Sequence, residues 1–195
     1  MVKNPRLDFN YTSMNPYSPF HTIKQEKAPQ ELKLIVEIST GDANKYEFNK
    51  EIGMLELDRV LYGPTFYPVN YCDVPNTWQN GDNDPLDAVI FSTYPIAPGV
   101  IATGRVVGVM EMEDNGEIDH KIICVNKKDP RFEHVKSVDD LTPYQRKDLQ
   151  TFMEIYKIAQ TGPGTVKVGK FLGPDEAYKM IEEAMEVYKQ KYPQN

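Results

Sequence analysis

Asn115 and Gly116 stand between two apolar, strand-like halves of the stretch from Val106 to Val125. An Asn-Gly pair so placed is the strongest short-range signal for a two-residue hairpin, so the chain is committed to antiparallel sheet here. With these two as the loop residues, Asp114 pairs with Glu117 and Met112 with Asp119, and directly opposed residues face the same way. Asp114, Asp119 and Lys121 are therefore expected on one side of the ribbon.

Other segments carry strand patterns too. From Leu32 the chain alternates, with Leu32, Leu34, Val36 and Ile38 on one face and Lys33, Ile35, Glu37 and Ser39 on the other, which predicts a strand with Glu37 pointing away from the core. After a turn at Gly41 and Asp42, Tyr46 and Phe48 share one side of a second strand, and Lys45, Glu47 and Asn49 the other. Met54, Leu55, Leu57 and Val60 follow around Asp58 and Arg59, and Phe66 to Tyr71 reads as strand or irregular extension. Ala88 to Phe91 and Val100 to Met110 are apolar runs bounded by turn residues, as in buried strands.

The pattern becomes helical near the end. Thr142 can cap a helix with Pro143 in its first turn and a stripe of Leu149, Phe152, Met153 and Tyr156, and Gly162, Pro163 and Gly164 stop it. A last helix opens near Pro174, with Ala177, Met180, Ile181, Ala184 and Tyr188 at helical spacing. Both stripes read as core or subunit contact. Residues 1 to 30, with Pro5, Pro16, Pro19 and Pro29 and no periodicity, are expected to form an extended arm. The expectation is one domain over 1–195, mainly β with flanking helices, in the α+β class.

Charge and composition exclude several functions. The formal charge is −7 and no Lys/Arg run stands out, so the footprint of a nucleic-acid binder is missing. Cys72 and Cys124 lack CxxC spacing and read as reduced thiols. Neither a charged and apolar leader nor a run of about 18 apolar residues occurs, so a cytoplasmic protein is expected. His21, His120 and His134 form no catalytic pattern, and Walker, GxSxG and HExxH motifs are missing.

What remains is acidic. Asp82, Asn83, Asp84, Pro85, Leu86 and Asp87 place three carboxylates in six residues, directly before an apolar strand. Pro85 holds Asp84 extended and removes a backbone donor, so the segment bends and can converge its carboxylates. Two unit charges about 4 Å apart repel by roughly 4 kcal/mol at an effective dielectric of 20, and a divalent ion relieves this. All-oxygen ligation suits Mg²⁺, with Mn²⁺ as a substitute. The loop is no EF-hand, since Asp87 and Thr93 stand where glycine and glutamate are required. Aspartate, asparagine and proline are also ordinary turn formers, so the string alone leaves a solvated acidic turn open. Glu37, Glu47, Asp114 and Asp119 add carboxylates, while Lys45, Arg59, Lys121 and Lys157 add cations and Tyr71 and Tyr156 phenolic donors. A site for a metal-bridged polyanion needs both signs.

In this context the segment DNDPLD resembles the DGDPxD signature of the family I soluble inorganic pyrophosphatases. The order Val36-Glu37-Ile38, Lys45-Tyr46-Glu47, Asp58-Arg59, Phe66 to Tyr71, Tyr94 to Gly99, Val107 to Val109, Asp114, Asp119, Lys121, Tyr156-Lys157 is similar to the family's, over about residues 32 to 190. The resemblance implies a small closed five-stranded barrel of the OB type. It also implies Mg²⁺-dependent hydrolysis of pyrophosphate to two orthophosphates, and a homo-oligomer, hexameric by that likeness. Carried over by position, Asp82, Asp87 and Asp119 are inner metal ligands and Asp84 the proton acceptor. Glu37, Glu47 and Asp114 are outer ligands, and Lys45, Arg59, Tyr71, Lys121, Tyr156 and Lys157 contact phosphate. The alternatives are a noncatalytic metal- or phosphate-binding protein on the same barrel and an oligonucleotide-binding barrel, the latter disfavoured by the negative charge. Asn83 and Cys72 replace glycines common in the family, the stretch from Tyr71 to Asp82 is about one residue longer, and Gly162 to Gly164 occupy a region where some members carry a lysine.

Overall fold

The computed structural model describes residues 15, 17–79 and 83–193. Among the described residues nine strands carry it: β1 (Glu31–Ile38), β2 (Asn44–Asn49), β3 (Met54–Val60), β4 (Asn70–Asp73), β5 (Asp87–Phe91), β6 (Ile101–Asp114), β7 (Glu117–Ile118), β8 (Lys121–Asn126) and β9 (Val166–Leu172). Four helices accompany them: α1 (Pro19–Thr22), α2 (Pro143–Ile155), α3 (Ile158–Thr161) and α4 (Pro174–Lys191). β1 pairs with β4, β4 with β5, β5 with β8, β8 with β6 and β6 with β1, which closes a ring of five strands. All these pairings are antiparallel except β5 with β8. β7 and β9 extend β6 outside the ring, and β2 and β3 form a separate two-stranded ribbon. The chain is thus mainly β with a few helices and has the OB-type ring.

The apolar runs of β5 and β8 make sense in this ring, because both their faces are covered. Ala88, Ile90, Ile122 and Cys124 pack with Ala177, Ile181 and Ala184 of α4, whereas Val89, Phe91, Ile123 and Val125 pack with Leu149, Phe152 and Met153 of α2. Both helical stripes are therefore consumed as core of this chain, which removes the option that they form a subunit contact. Thr142 caps α2 through a reciprocal box with Gln145, as its sequence indicates.

The hairpin register is as the sequence predicts. Asp114 pairs with Glu117, the Asp119 amide donates to the Met112 carbonyl, and Asn115 and Gly116 both have positive φ.

Three expectations need correction. Glu37 is buried, at 4% exposure: the pairing of β1 with β4 shifts between Val36 and Ile38, and the Glu37 carboxylate accepts from the Phe48 amide of β2 at 2.5 Å. In the arm, the described residues up to 30 include the turn α1, where Phe20 is fully buried against Trp78 and Tyr188. Residues 1–14 and 16 lie outside the described residues. Finally β9, with Val166, Val168 and Lys167 alternating, was not expected beyond the stop at Gly162; it supplies the second neighbour of the distal half of β6.

β6 passes so close to β9 that Gly108 has no room for a side chain: a Cβ there would stand 2.4 Å from the Leu172 carbonyl oxygen and 2.9 Å from Val138 Cβ. Gly108→Ala is expected to destabilise the protein by about 1–3 kcal/mol, the usual range for overpacking. Urea unfolding measures it, and a change within about 0.5 kcal/mol would show that the strands part without cost.

Candidate active site

One end of the ring gathers the charged residues. Parallel pairing of β5 with β8 sets Asp87 beside Lys121. The Lys121 ammonium donates to Asp87 Oδ2 at 2.5 Å and pairs with Asp119, which stands just before β8. With its side chain only 2% exposed, Lys121 is a buried cation held by two carboxylates. Its proton is held more tightly than usual: burial acts against the charge, but Asp87 and Asp119 together outweigh it. Burial likewise opposes ionisation of Asp87, yet Lys121, with help from the Tyr71 hydroxyl, brings its proton affinity below the ordinary value. Asp119 goes the other way, raised by burial despite Lys121.

Behind Asp87 lies a second group. Carboxylate oxygens of Glu37, Asp73 and Asp87 all lie within 4.8 Å of one another. Burial, then the neighbouring charges of Asp73 and Asp87, pushes the Glu37 pKa well up. Burial pushes Asp73 up to about 7, against the pull of Lys50. Asp73 Oδ2 is buried and finds no hydrogen-bond partner among the described residues. An all-carboxylate set this close, with an oxygen lacking a donor, fits a hard divalent cation.

The remaining candidates surround these. On the ribbon, Lys45 and Glu47 share a face and form an ion pair; Lys45 also reaches Asp58 at 3.3 Å, and Arg59 pairs with Asp58. Arg59 Nε is buried with no hydrogen-bond acceptor among the described residues, which leaves the guanidinium suited to a further anion. At the C-terminal end of α2, Tyr156 is buried and stacks on Phe152, which contacts Tyr67 and through it Tyr71. Lys157 pairs with Asp114. Burial raises both phenols, Tyr71 and Tyr156, so they stay protonated as donors.

Asp84, Asp114, Asn115, Glu117 and Asp119 line one cavity of about 220 Å³, which brings the acidic loop to the hairpin face. Cavities of 330 to 370 Å³ lie elsewhere; chemistry rather than size singles this one out. Asp82 lies outside the described residues. Sequence reading missed Asp73 and Lys50. A lone aspartate within the apolar segment Cys72 to Val74 was a usable signal for the first, since unpaired carboxylates are rarely buried. Lys50, in a polar turn after β2, gave none.

Residues 34–189 match the family profile described as Inorganic pyrophosphatase. This chain belongs to that family. The inorganic pyrophosphatase of Geobacillus stearothermophilus is 43% identical over 160 residues, 82% of this chain and 95% of its own. The crystal structure of inorganic pyrophosphatase from Thermus thermophilus superposes with a TM-score of 0.81 at 36% identity, over 86% of this chain and 97% of that one. The Helicobacter pylori inorganic pyrophosphatase structure gives 0.81 at 37% identity, over 86% and 99%. The family thus accounts for the fold down to the strand order that periodicity left open.

Lys121→Met tests how the pyrophosphatase centre is balanced. It leaves Asp87 and Asp119 buried without their ammonium, and removal of one partner of a buried pair costs about 3–5 kcal/mol. The loss should be full at pH 7 and shrink only as pH falls below about 4, the unfolded aspartate value. Asp87 titrates below its unfolded value in the parent, so its stabilisation exists above that value and disappears as pH falls. Urea unfolding in chelator at pH 7 and pH 3 measures the gap; an equal gap at both would contradict this balance.

Proposed function

We propose that this chain hydrolyses pyrophosphate to two orthophosphates, with Mg²⁺ as the divalent cation and Mn²⁺ as a substitute. The observation that carries the reading is the convergence of Glu37, Asp73, Asp87, Asp84, Asp114 and Asp119 from separate elements, with lysines and phenols among them, in a member of this family. Bound magnesium would neutralise phosphoryl charge and lower the pKa of a water from about 15.7 towards about 7.

The chain's own residues would do the rest. Asp87 and Asp119, with Asp82, would hold the inner ions; Glu37, Glu47 and Asp114 would serve the outer or substrate-borne ones. Asp84 would accept the proton of the attacking water at its carboxylate, which opens onto the cavity it shares with Asp114 and Asp119. Lys45, Lys121 and Lys157 neutralise carboxylates of the same centre. Once divalent ions take over that charge, these ammonium groups, Arg59 and the hydroxyls of Tyr71 and Tyr156 would be available to hold phosphoryl oxygens in line.

We place the enzyme in the cytoplasm as a homo-oligomer, hexameric by likeness to the family. Exposed Met54, Leu57 and Val60 on β3, with Tyr62 and Phe66 beyond it, supply apolar surface for self-association. Among the described residues no helix is long and apolar enough to cross a membrane.

Phosphate release from pyrophosphate is expected with Mg²⁺, less with Mn²⁺ and none in chelator, with Ca²⁺ inhibiting because its larger, looser shell misplaces the water. No release with any of these ions would return the chain to the noncatalytic reading. Asp87→Asn should weaken metal binding and recover part of its activity at high Mg²⁺. Asp84→Asn should keep metal affinity near the parent's yet lose about 10² to 10⁴ in maximal rate, with partial recovery at higher pH and none from added Mg²⁺. Metal titration together with kinetics separates the two roles; Mg²⁺ rescue of Asp84→Asn would make Asp84 a ligand.

A further inference from the structure

We propose that Lys50 is a positioning residue that aims the Asp84 carboxylate, and that buried Asp73 in turn holds Lys50. This rests on the reading that Asp84 acts in the reaction. Lys50 follows β2 at the turn into β3, Asp73 ends β4, and Asp84 lies in the acidic loop before β5. Three segments distant in sequence thus meet at one ammonium. Lys50 Nζ donates to Asp84 Oδ1 at 2.6 Å and stands 3.7 Å from Asp73 Oδ2.

The exposures give the contact its meaning. Asp84 has a side chain 56% exposed, on a loop ahead of a proline, so burial alone does not set its direction. Asp73, at 4%, is anchored in the sheet, and Lys50, at 23%, is largely covered. The ammonium therefore links the fixed position of a buried carboxylate to a more exposed one, through a charge-assisted bond that is directional. Asp73 Oδ2 has no hydrogen-bond donor among the described residues, so the nearby ammonium is its electrostatic counterpart rather than one partner of many. Glu47, on the same ribbon, also acts electrostatically on both Asp73 and Asp84, so the ribbon faces the loop as a unit. Reacting groups misplaced by about 1 Å lose on the order of 10²-fold in rate, which is the scale on which losing this aim should register.

A double-mutant cycle tests it, with pyrophosphate and Mg²⁺ as reactants. Lys50→Met should lower kcat by about 10- to 100-fold with little change in KM, and Lys50→Arg should restore most of the loss. In the Asp84→Asn background, Lys50→Met should have almost no further effect, because residues acting through one another are not additive. Mn²⁺ stoichiometry, counted by electron paramagnetic resonance, should equal the parent's. Asp73→Asn should give a smaller loss of kcat that likewise vanishes in the Asp84→Asn background, and it serves if Lys50→Met does not fold. Losses that multiply in the double variant, a rise in KM at unchanged kcat, or a missing Mn²⁺ ion would each overturn the proposal. The cycle is read separately from the role of Asp84. Non-additivity with Mg²⁺ rescue of Asp84→Asn keeps the aiming contact while Asp84 becomes a ligand; additivity without rescue keeps Asp84 as base and removes Lys50.

Discussion

The acidic end of the ring depends on one buried ammonium. Lys121 lies where β5 and β8 run parallel, and its two carboxylate partners come from the start of β5 and the end of the hairpin. Coulomb attraction is strong where water is excluded, and a lone carboxylate there would be costly. By satisfying two at once, Lys121 allows the loop and the hairpin to approach. Everything else in the centre is arranged relative to that approach: Asp84 and Asp114 face one cavity, Lys157 reaches Asp114 from the turn between α2 and α3, and Tyr71 lies under the ammonium at 5.5 Å from its ring centre.

The carboxylates consequently divide into two kinds. Asp87, paired directly with Lys121, stays ionised more readily than usual, whereas Glu37 and Asp73, deeper and less directly paired, hold protons more tightly. A cation held among Glu37, Asp73 and Asp87 would displace protons from the first two but only a lysine contact at Asp87. Metal affinity in such a centre is therefore coupled to pH through Glu37 and Asp73 more than through Asp87.

Much of this was legible before any coordinates, for reasons that differ by element. The hairpin was readable because Asn115 and Gly116 accept positive φ and alternation fixes the faces. α2 was readable from its cap and stripe, and α4 from its opening proline and stripe. Glu37 misled because a strand pattern assumes an even pleat, and the shift between Val36 and Ile38 breaks it. β9 was hidden by Gly169 within it and by Gly162 and Gly164 before it, and ring closure is a property of pairings between distant segments, which no local period records; the family resemblance supplied it. Within the centre, the DNDPLD string and the basic residues announced themselves by chemistry and Asp73 by its apolar neighbours, while Lys50 acquires meaning only when its turn meets Asp73 and Asp84.

β6 runs unbroken for 14 residues, pairs with β1, β8, β7 and β9, and ends at Asp114. Its amides cannot be released by fraying at one edge, since opening any stretch breaks pairing within the ring or with β9. Amide hydrogens along β6 should therefore exchange only through global unfolding. Asp114 is thereby carried at the end of a strand paired on both sides, whereas Asp84 is tied to the centre by an ammonium contact with Lys50 and by its place on the cavity wall.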